Sequence, residues 1–465
     1  MSPSGLEAAA AACLFPGFDG LVAPEWLLQQ VGAGLGGVVI FARNVRDPEQ
    51  VAALSASLRA QKPELLIGVD EEGGDVTRLE AATGSSFPGN LALGVVDDVE
   101  LTRRVASAIG GELASVGFNL DLAPVADVIV DPENPIIGVR SFGSDPPLVA
   151  RHVSAFVEGL QGAGVAACAK HFPGHGETAI DSHLELPAAE ADRETLLTRA
   201  LPPFAAAVEA GVCAVMTAHI RFPAIDDDPA TLSRELIGLL RNDLGFGGLV
   251  MTDALEMRAI SARVGIEEAG VRALAAGADA LCLGADRAPS EIEGVQAAVV
   301  EAVRAGRLPE ERLREAARRV AETAAWASSP KPHSDRPAGA EAARRALRVE
   351  GEPVVVGEPF VVELRPEPTI AAGPGDASLG NLLGAETIRL REGDPLPPLD
   401  RDRRIVFVLR DAHRHPWQRR LVASGSIVVE TGLPEWRPGN VRAFVATHGA
   451  GRVNLEAAAA LLAGR

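Results

Sequence analysis

Between Gly37 and Gly284 short apolar runs alternate with long stretches rich in Ala, Leu, Glu and Arg. The runs are Val38-Val39-Ile40-Phe41, Leu65 to Val69, Leu120 to Val125, Ala166 to Ala169, Ala214 to Thr217, Leu249 to Thr252 and Ala280 to Leu283. Each has strand length, and helix candidates such as Asp47 to Ala60, Leu148 to Gly162 and Arg193 to Glu209 lie between them. Sustained strand-helix alternation predicts a parallel sheet. Seven strands are clear and Cys13 to Phe18 supplies a candidate eighth, so the expected fold is α/β, a (β/α)8 TIM barrel. A doubly wound open sheet is the alternative.

A final helix is expected over Pro309 to Ala327, closing a first domain of residues 1–327. Residues 328–337, Ser-Ser-Pro-Lys-Pro-His-Ser-Asp-Arg-Pro, have linker composition. Beyond them, residues 338–465 read as a smaller C-terminal α/β, sandwich-like domain. Its candidate strands are Val354 to Val356, Ile405 to Leu409, Ile427 to Val429 and Ala443 to Ala446. The polar clusters Arg410 to His415 and Thr447-His448-Gly449 have no evident partner in the sequence and read as loop or interface residues.

The apolar run before Lys170 stops abruptly and opens into Lys170-His171-Phe172-Pro173-Gly174-His175-Gly176-Glu177-Thr178-Ala179-Ile180-Asp181-Ser182-His183. Fourteen residues with one Lys, three His, one Glu and one Asp are more titratable chemistry than a plain turn needs. Three uses fit. The His residues and Asp181 could bind zinc. Asp181 and His183 could form a proton-transfer dyad, the carboxylate orienting the ring. Lys170 and His171 could grip a polar substrate.

Position favours catalysis. Asp70, Lys170-His171, His219 and Asp253 each stand at the C-terminal end of a different apolar run, where barrel active sites are assembled. Asp253, directly after Leu249 to Thr252, is either a helix cap or a reactive carboxylate. A nucleophile facing a proton donor is the arrangement of retaining glycoside hydrolysis. The segment Gly32-Ala33-Gly34-Leu35-Gly36-Gly37 has dinucleotide-fingerprint spacing, but it precedes a strand, and no P-loop occurs.

Composition narrows the partners. A net charge of -19, from 44 basic and 63 acidic residues, argues against nucleic acid or an anionic membrane. The chain has no Tyr, so neither nucleophile nor acid is phenolic. Its four Cys show no Cys-x-x-Cys spacing, no basic residue precedes Arg43, and no apolar run reaches membrane-spanning length. A reduced, cytoplasmic protein is the expectation.

The segment Lys170 to His183 resembles the signature of family 3 glycoside hydrolases, in the branch of bacterial β-N-acetylglucosaminidases. The likeness extends to Gly17-Phe18-Asp19-Gly20, Phe41-Ala42-Arg43-Asn44, Asp70-Glu71-Glu72-Gly73-Gly74, Asn119 to Val125, Ile137 to Gly143 and Thr252-Asp253-Ala254-Leu255. It covers the first domain, and the second resembles the C-terminal domain of two-domain members. The resemblance implies that Asp253 is the nucleophile, His183 the acid/base and Asp181 its polarising partner. Asp70, Arg78, Arg140, Lys170 and His171 would hold the sugar, and His175 would be structural. No metal and no cofactor is implied. Glu71 and Asp75 depart from the family's usual Gln and Arg, which bears on the natural substrate.

The expected activity is thus a retaining exo-β-N-acetylglucosaminidase acting on cell-wall fragments or short amino-sugar glycosides. Three competitors stand beside it: a phosphorylase using the same intermediate, a metal-dependent hydrolase and a non-catalytic sugar-binding protein. Oligomeric state is not legible.

Overall fold

The computed structural model describes residues 5–178, 186–369, 377–400 and 402–465. Eight short parallel strands form the barrel: β1 (Leu14–Pro16), β2 (Gly37–Ile40), β3 (Leu66–Val69), β4 (Leu120–Asp121), β5 (Ala166–Phe172), β6 (Ala214–Thr217), β7 (Leu249–Thr252) and β8 (Leu281–Gly284). Strands β2 to β7 make one parallel ladder in sequence order, and β1 pairs with β8 in parallel. A bridge between Met251 and Ala280 joins the β7 and β8 sides. On the other side Gly36 N–H donates to Ala11 O, and Gly37 lies against the Phe15 ring of β1.

Those glycines account for the fingerprint-like spacing in steric terms. Gly34 ends the preceding helix, Glu25–Ala33, at φ 122°, and a side chain on Gly37 would stand 2.2 Å from Phe15. They let β1 and β2 approach and leave no call for a phosphate. Alternate strand positions fill the barrel: Phe15, Val39, Leu66, Leu120, Cys168, Met216, Met251 and Cys282 belong to one buried cluster. Their neighbours point outward to the helices, which begin where the sequence caps them. Asp47, Asp98 and Asp145 accept the amides of Gln50, Leu101 and Leu148. β4 is shorter than its apolar run, because Pro124 has no N–H for the ladder. The chain still follows β5, with Lys170 N–H bonding Pro124 O.

After the helix Glu310–Trp326 the chain runs along the barrel surface, Lys331 N–H donating to Ala163 O. A helix over Arg336–Ala346 follows, packed on barrel helix Val99–Ser115 and on the C-terminal helix Arg452–Leu462. The second sheet comprises β9 (Arg348–Gly351), β10 (Phe360–Leu364), β11 (Glu386–Leu390), β12 (Ile405–Leu409), β13 (Ile427–Glu430) and β14 (Ala443–Ala446). Its order is β9-β14-β13-β12-β10-β11, parallel except for edge strand β9, with apolar clusters on both faces.

Val354 to Val356, expected as a strand, lies outside the sheet, and Val356 is 85% exposed. Flanking Pro353, Gly357 and Pro359 break the extension. The edge is taken by β9, whose side chains are all exposed and so carry no apolar signal. Among the described residues no helix is long and apolar enough to cross a membrane. All four Cys are unpaired, and Cys13, Cys168 and Cys282 are buried.

Candidate active site

At the C-terminal rim of the barrel a cavity of about 1110 Å³ opens between the two sheets. Asp70 follows β3, Lys170 and His171 end β5, and Asp253 follows β7, so strand ends deliver all four. Arg78, Arg140 and His175 complete the barrel side of the lining. Every described residue expected to bind sugar or to attack it therefore meets in one space. Asp181 and His183, the expected dyad, lie outside the described residues.

Lys170 organises the floor. Its ammonium is nearly fully buried and stands 2.7 Å from both Asp70 Oδ1 and Glu72 Oε1. Arg140 grips Glu72 with two hydrogen bonds, Nε to Oε2 at 2.9 Å and Nη2 to Oε1 at 2.8 Å. Arg78 reaches Asp70 Oδ2 at 3.7 Å. Burial alone would lift the carboxyl pKa values, but the cations outweigh it. Asp70 and Glu72 are held below their ordinary values, and Lys170 and Arg140 above theirs. The network is thus charged and largely buried, with three cations set against two carboxylates. It presents fixed donors and acceptors to whatever polar ring enters.

His171 is fixed from behind. Its Nδ1 lies 2.7 Å from Asp127 Oδ2, while Asp127 Oδ1 accepts the His175 amide at 2.6 Å. Asp127 is fully buried, which would raise its pKa, yet His171 and His175 hold it low. A carboxylate on Nδ1 leaves Nε2 as the ring's working atom. The His175 ring instead meets Thr178 Oγ1 at 2.9 Å, and burial pushes its pKa down to about 4.

Asp253 does not cap a helix, since the next one, Arg258–Val264, starts five residues on. Its amide donates to Thr217 O, and its Oδ1 accepts the Ala254 amide at 2.7 Å. The carboxylate is held at the cavity wall without a structural duty in a helix. His219, also at a strand end, is buried, with Nδ1 2.8 Å from Thr231 Oγ1 and Nε2 3.0 Å from Ala254 O. It braces the turn after Asp253. Among the described residues no three His, Cys, Asp and Glu side chains gather as a metal site.

Three contributors escaped the sequence reading. Glu72 was visible beside Asp70 in a Gly-rich loop, and Asp127 two residues beyond the Leu120 to Val125 run, but neither had a visible partner. The third is Arg410, at the end of β12 in the second domain, which lines the cavity with its Nη1 2.5 Å from Asp75 Oδ2. Asp75 and Arg410, the latter from the cluster read as loop or interface residues, pair across the two domains.

Residues 22–323 match the family described as glycosyl hydrolase family 3 N terminal domain. A protein named Beta-hexosaminidase A from Pseudoalteromonas piscicida is 37% identical over 316 residues, which are 62% of this chain and 52% of that protein. The chain thus spans about half that relative's length. A Beta-hexosaminidase from Thiobacillus denitrificans is 41% identical over 256 residues, 53% of this chain and 70% of that one. Among solved structures, a glycoside hydrolase family 3 beta-N-acetylglucosaminidase from a Paenibacillus species aligns with 99% of this chain and 97% of its own. That pair shares 33% identity and a TM-score of 0.87.

Proposed function

This chain belongs to glycosyl hydrolase family 3, and on that premise we propose that it is a retaining exo-β-N-acetylhexosaminidase removing terminal N-acetylglucosamine. The observation that carries the reading is the placement of the Asp253 carboxylate in the same cavity as the Asp70–Lys170–Glu72–Arg140 network. The relatives' names, beta-hexosaminidase and beta-N-acetylglucosaminidase, support the amino-sugar.

In this mechanism a carboxylate oxygen of Asp253 attacks the anomeric carbon as the bond to the leaving oxygen breaks. His183, polarised by Asp181, gives that oxygen its proton. The deprotonated ring then takes a proton from water, which attacks the same carbon and frees Asp253, so two inversions retain configuration. Asp70, Arg78, Arg140, Lys170 and His171 hold the sugar's hydroxyl and acetamido groups, and Glu72 and Asp127 hold those residues in place. The roles of Asp181 and His183 rest on the family resemblance. The same reading places catalysis in residues 1–327, joined through 328–337 to a second domain over 338–465. Cell-wall fragments recycled in the cytoplasm are the proposed setting, consistent with four unpaired thiols.

The test is cleavage of an aryl N-acetyl-β-glucosaminide, with and without phosphate and with and without chelator. Free N-acetylglucosamine should appear at the same rate in all four. A sugar 1-phosphate would convert the reading to a phosphorylase. Activity lost to chelator and restored by zinc would overturn the mechanism.

A further inference from the structure

Between β4 and the helix Pro146–Gly162 the barrel chain runs as a long loop, which carries Asp127 and Arg140. Arg140 ends a single 3₁₀ turn, Gly138–Arg140, with Gly138 at φ 41°. One turn has almost no stability of its own, because a helix gains bonds only after its nucleus has formed. Its position must come from what it packs against. On the barrel side Asn90 Nδ2 donates to Arg140 O at 2.7 Å. Val139, the residue before Arg140, is buried in an apolar cluster with Leu91, from the same helix as Asn90, and with Leu433 of the second domain. Val95 and Ile129 pack against that cluster.

Leu433 is delivered on a stiff mount. It follows β13, whose last residue, Glu430, is fully buried and accepts the amides of Asp411, Ala412 and Gly432 at 2.8, 3.2 and 2.8 Å. Asp411 in turn accepts the Leu433 amide on Oδ1 at 2.8 Å. A side chain on Gly432 would stand 2.2 Å from that oxygen, so the turn packs without slack. The second domain holds the barrel loop after β3 as well. Ala450 N–H donates to Asp75 Oδ1 at 2.7 Å and Val453 N–H to Ser85 O at 3.1 Å, while Arg452 pairs with Glu80 at 3.1 Å. These contacts fall on residues 75–86, the stretch that contains Arg78.

We infer that Leu433 is a positioning residue for sugar binding: from the second domain it sets the turn that presents Arg140, and with it the grip of Arg140 on Glu72. The inference rests on the proposed glycosidase reading, in which Arg140 holds the sugar. Close packing makes the relay effective, since a vacated volume lets its neighbours shift. The two prongs of Arg140 on Glu72, at 2.8 and 2.9 Å, pass out of hydrogen-bond range with a shift of roughly 0.5 Å.

The experiment reads the sugar alone, as the Ki of free N-acetylglucosamine against hydrolysis of the aryl glycoside, beside kcat and KM. Leu433→Ala should raise Ki and KM ~10-fold, the scale of one weakened charge-assisted hydrogen bond, and change kcat less. Leu433→Met, which keeps the volume, should stay within ~2-fold of the unaltered chain. Leu462→Ala makes the same truncation in the second domain's own apolar cluster, and should lower the melting temperature without moving Ki. With Arg140→Lys already in place, Leu433→Ala should cost less than it does alone. If Leu433→Ala does not fold, Leu433→Val is read in its place. An unchanged Ki would overturn the inference, as would an equal rise in Leu462→Ala or a Met variant as weak as the Ala one. So would an undiminished cost beside Arg140→Lys. If the unaltered chain does not cleave the aryl glycoside, the glycosidase reading itself fails; a chain that cleaves it and shows any of those outcomes loses only this inference.

Discussion

Arg140 and Glu72 form a two-pronged ion pair, at 2.8 and 2.9 Å, with side chains only 8% and 2% exposed. Glu72 also takes Lys170 at 2.7 Å, so one carboxylate anchors two of the cations expected to hold the sugar. Glu72→Gln keeps the shape and removes the charge. Sugar affinity should fall, with KM rising ~10-fold or more and kcat changing less. Steady-state kinetics on the aryl glycoside check this, and an unchanged KM would sever Glu72 from binding. Breaking such a buried pair outright, as in Glu72→Ala, should cost about 3–5 kcal/mol of stability, readable by denaturant titration.

Asp253→Asn should abolish turnover and leave sugar binding nearly intact, because the amide fits the same space without nucleophilicity. A fluoro-sugar inactivator should label Asp253 alone in the unaltered chain, as read by peptide mass mapping. Label on another carboxylate would reassign the nucleophile.

His183→Ala should damage poor leaving groups far more than activated aryl ones, since a positioned acid contributes ~10²–10⁴ in rate where protonation is hard. Azide should restore the second step on activated substrates and yield a β-glycosyl azide. Asp181→Ala should follow the same pattern more mildly. Equal damage to all substrates without azide rescue would move the acid to another group, Glu177 being the nearest candidate.

Glu71 gives a pH signature. It is buried, and burial pushes its pKa up to about 7 from 4.5, against the Arg78 and Leu79 amides, which favour the charged form. A carboxyl with a raised folded pKa contributes stability below its unfolded value, and that contribution is lost as pH rises through the folded one. Glu71→Gln keeps an oxygen for both amides and cannot ionise. The variant should gain stability over the unaltered chain by up to about 3 kcal/mol between pH 5 and pH 8. Melting curves at both pH values test it; a gain independent of pH would show that Glu71 ionises normally. Glu430, raised to about 7 in the second domain, declines in both proteins and cancels from the difference.

What the chain declares about itself is local. Apolar runs, caps such as Asp47 and Asp145, and chemistry placed at strand ends depend on neighbours within a turn or a strand. The barrel strands and the positions of Asp70, Lys170 and Asp253 were therefore legible before any coordinates. Exposed edge strand β9 was not, because a strand with no buried face leaves no alternation to read.

Partnership belonged to the tertiary structure. Glu72 and Arg140 are 68 residues apart, Asp127 and His171 44, and Asp75 and Ala450 375. Nothing in a periodicity says which carboxylate will face which cation after the chain has closed a barrel and returned through a second sheet. That is why the ring of His219, prominent in sequence, is found held by Thr231 and the turn after Asp253, while Glu72 and Arg410, which had no evident partner in sequence, stand in the cavity wall. Strand-end position follows from local pattern, whereas the charge state and the partner of a side chain follow from burial beside distant groups. Only folding sets those.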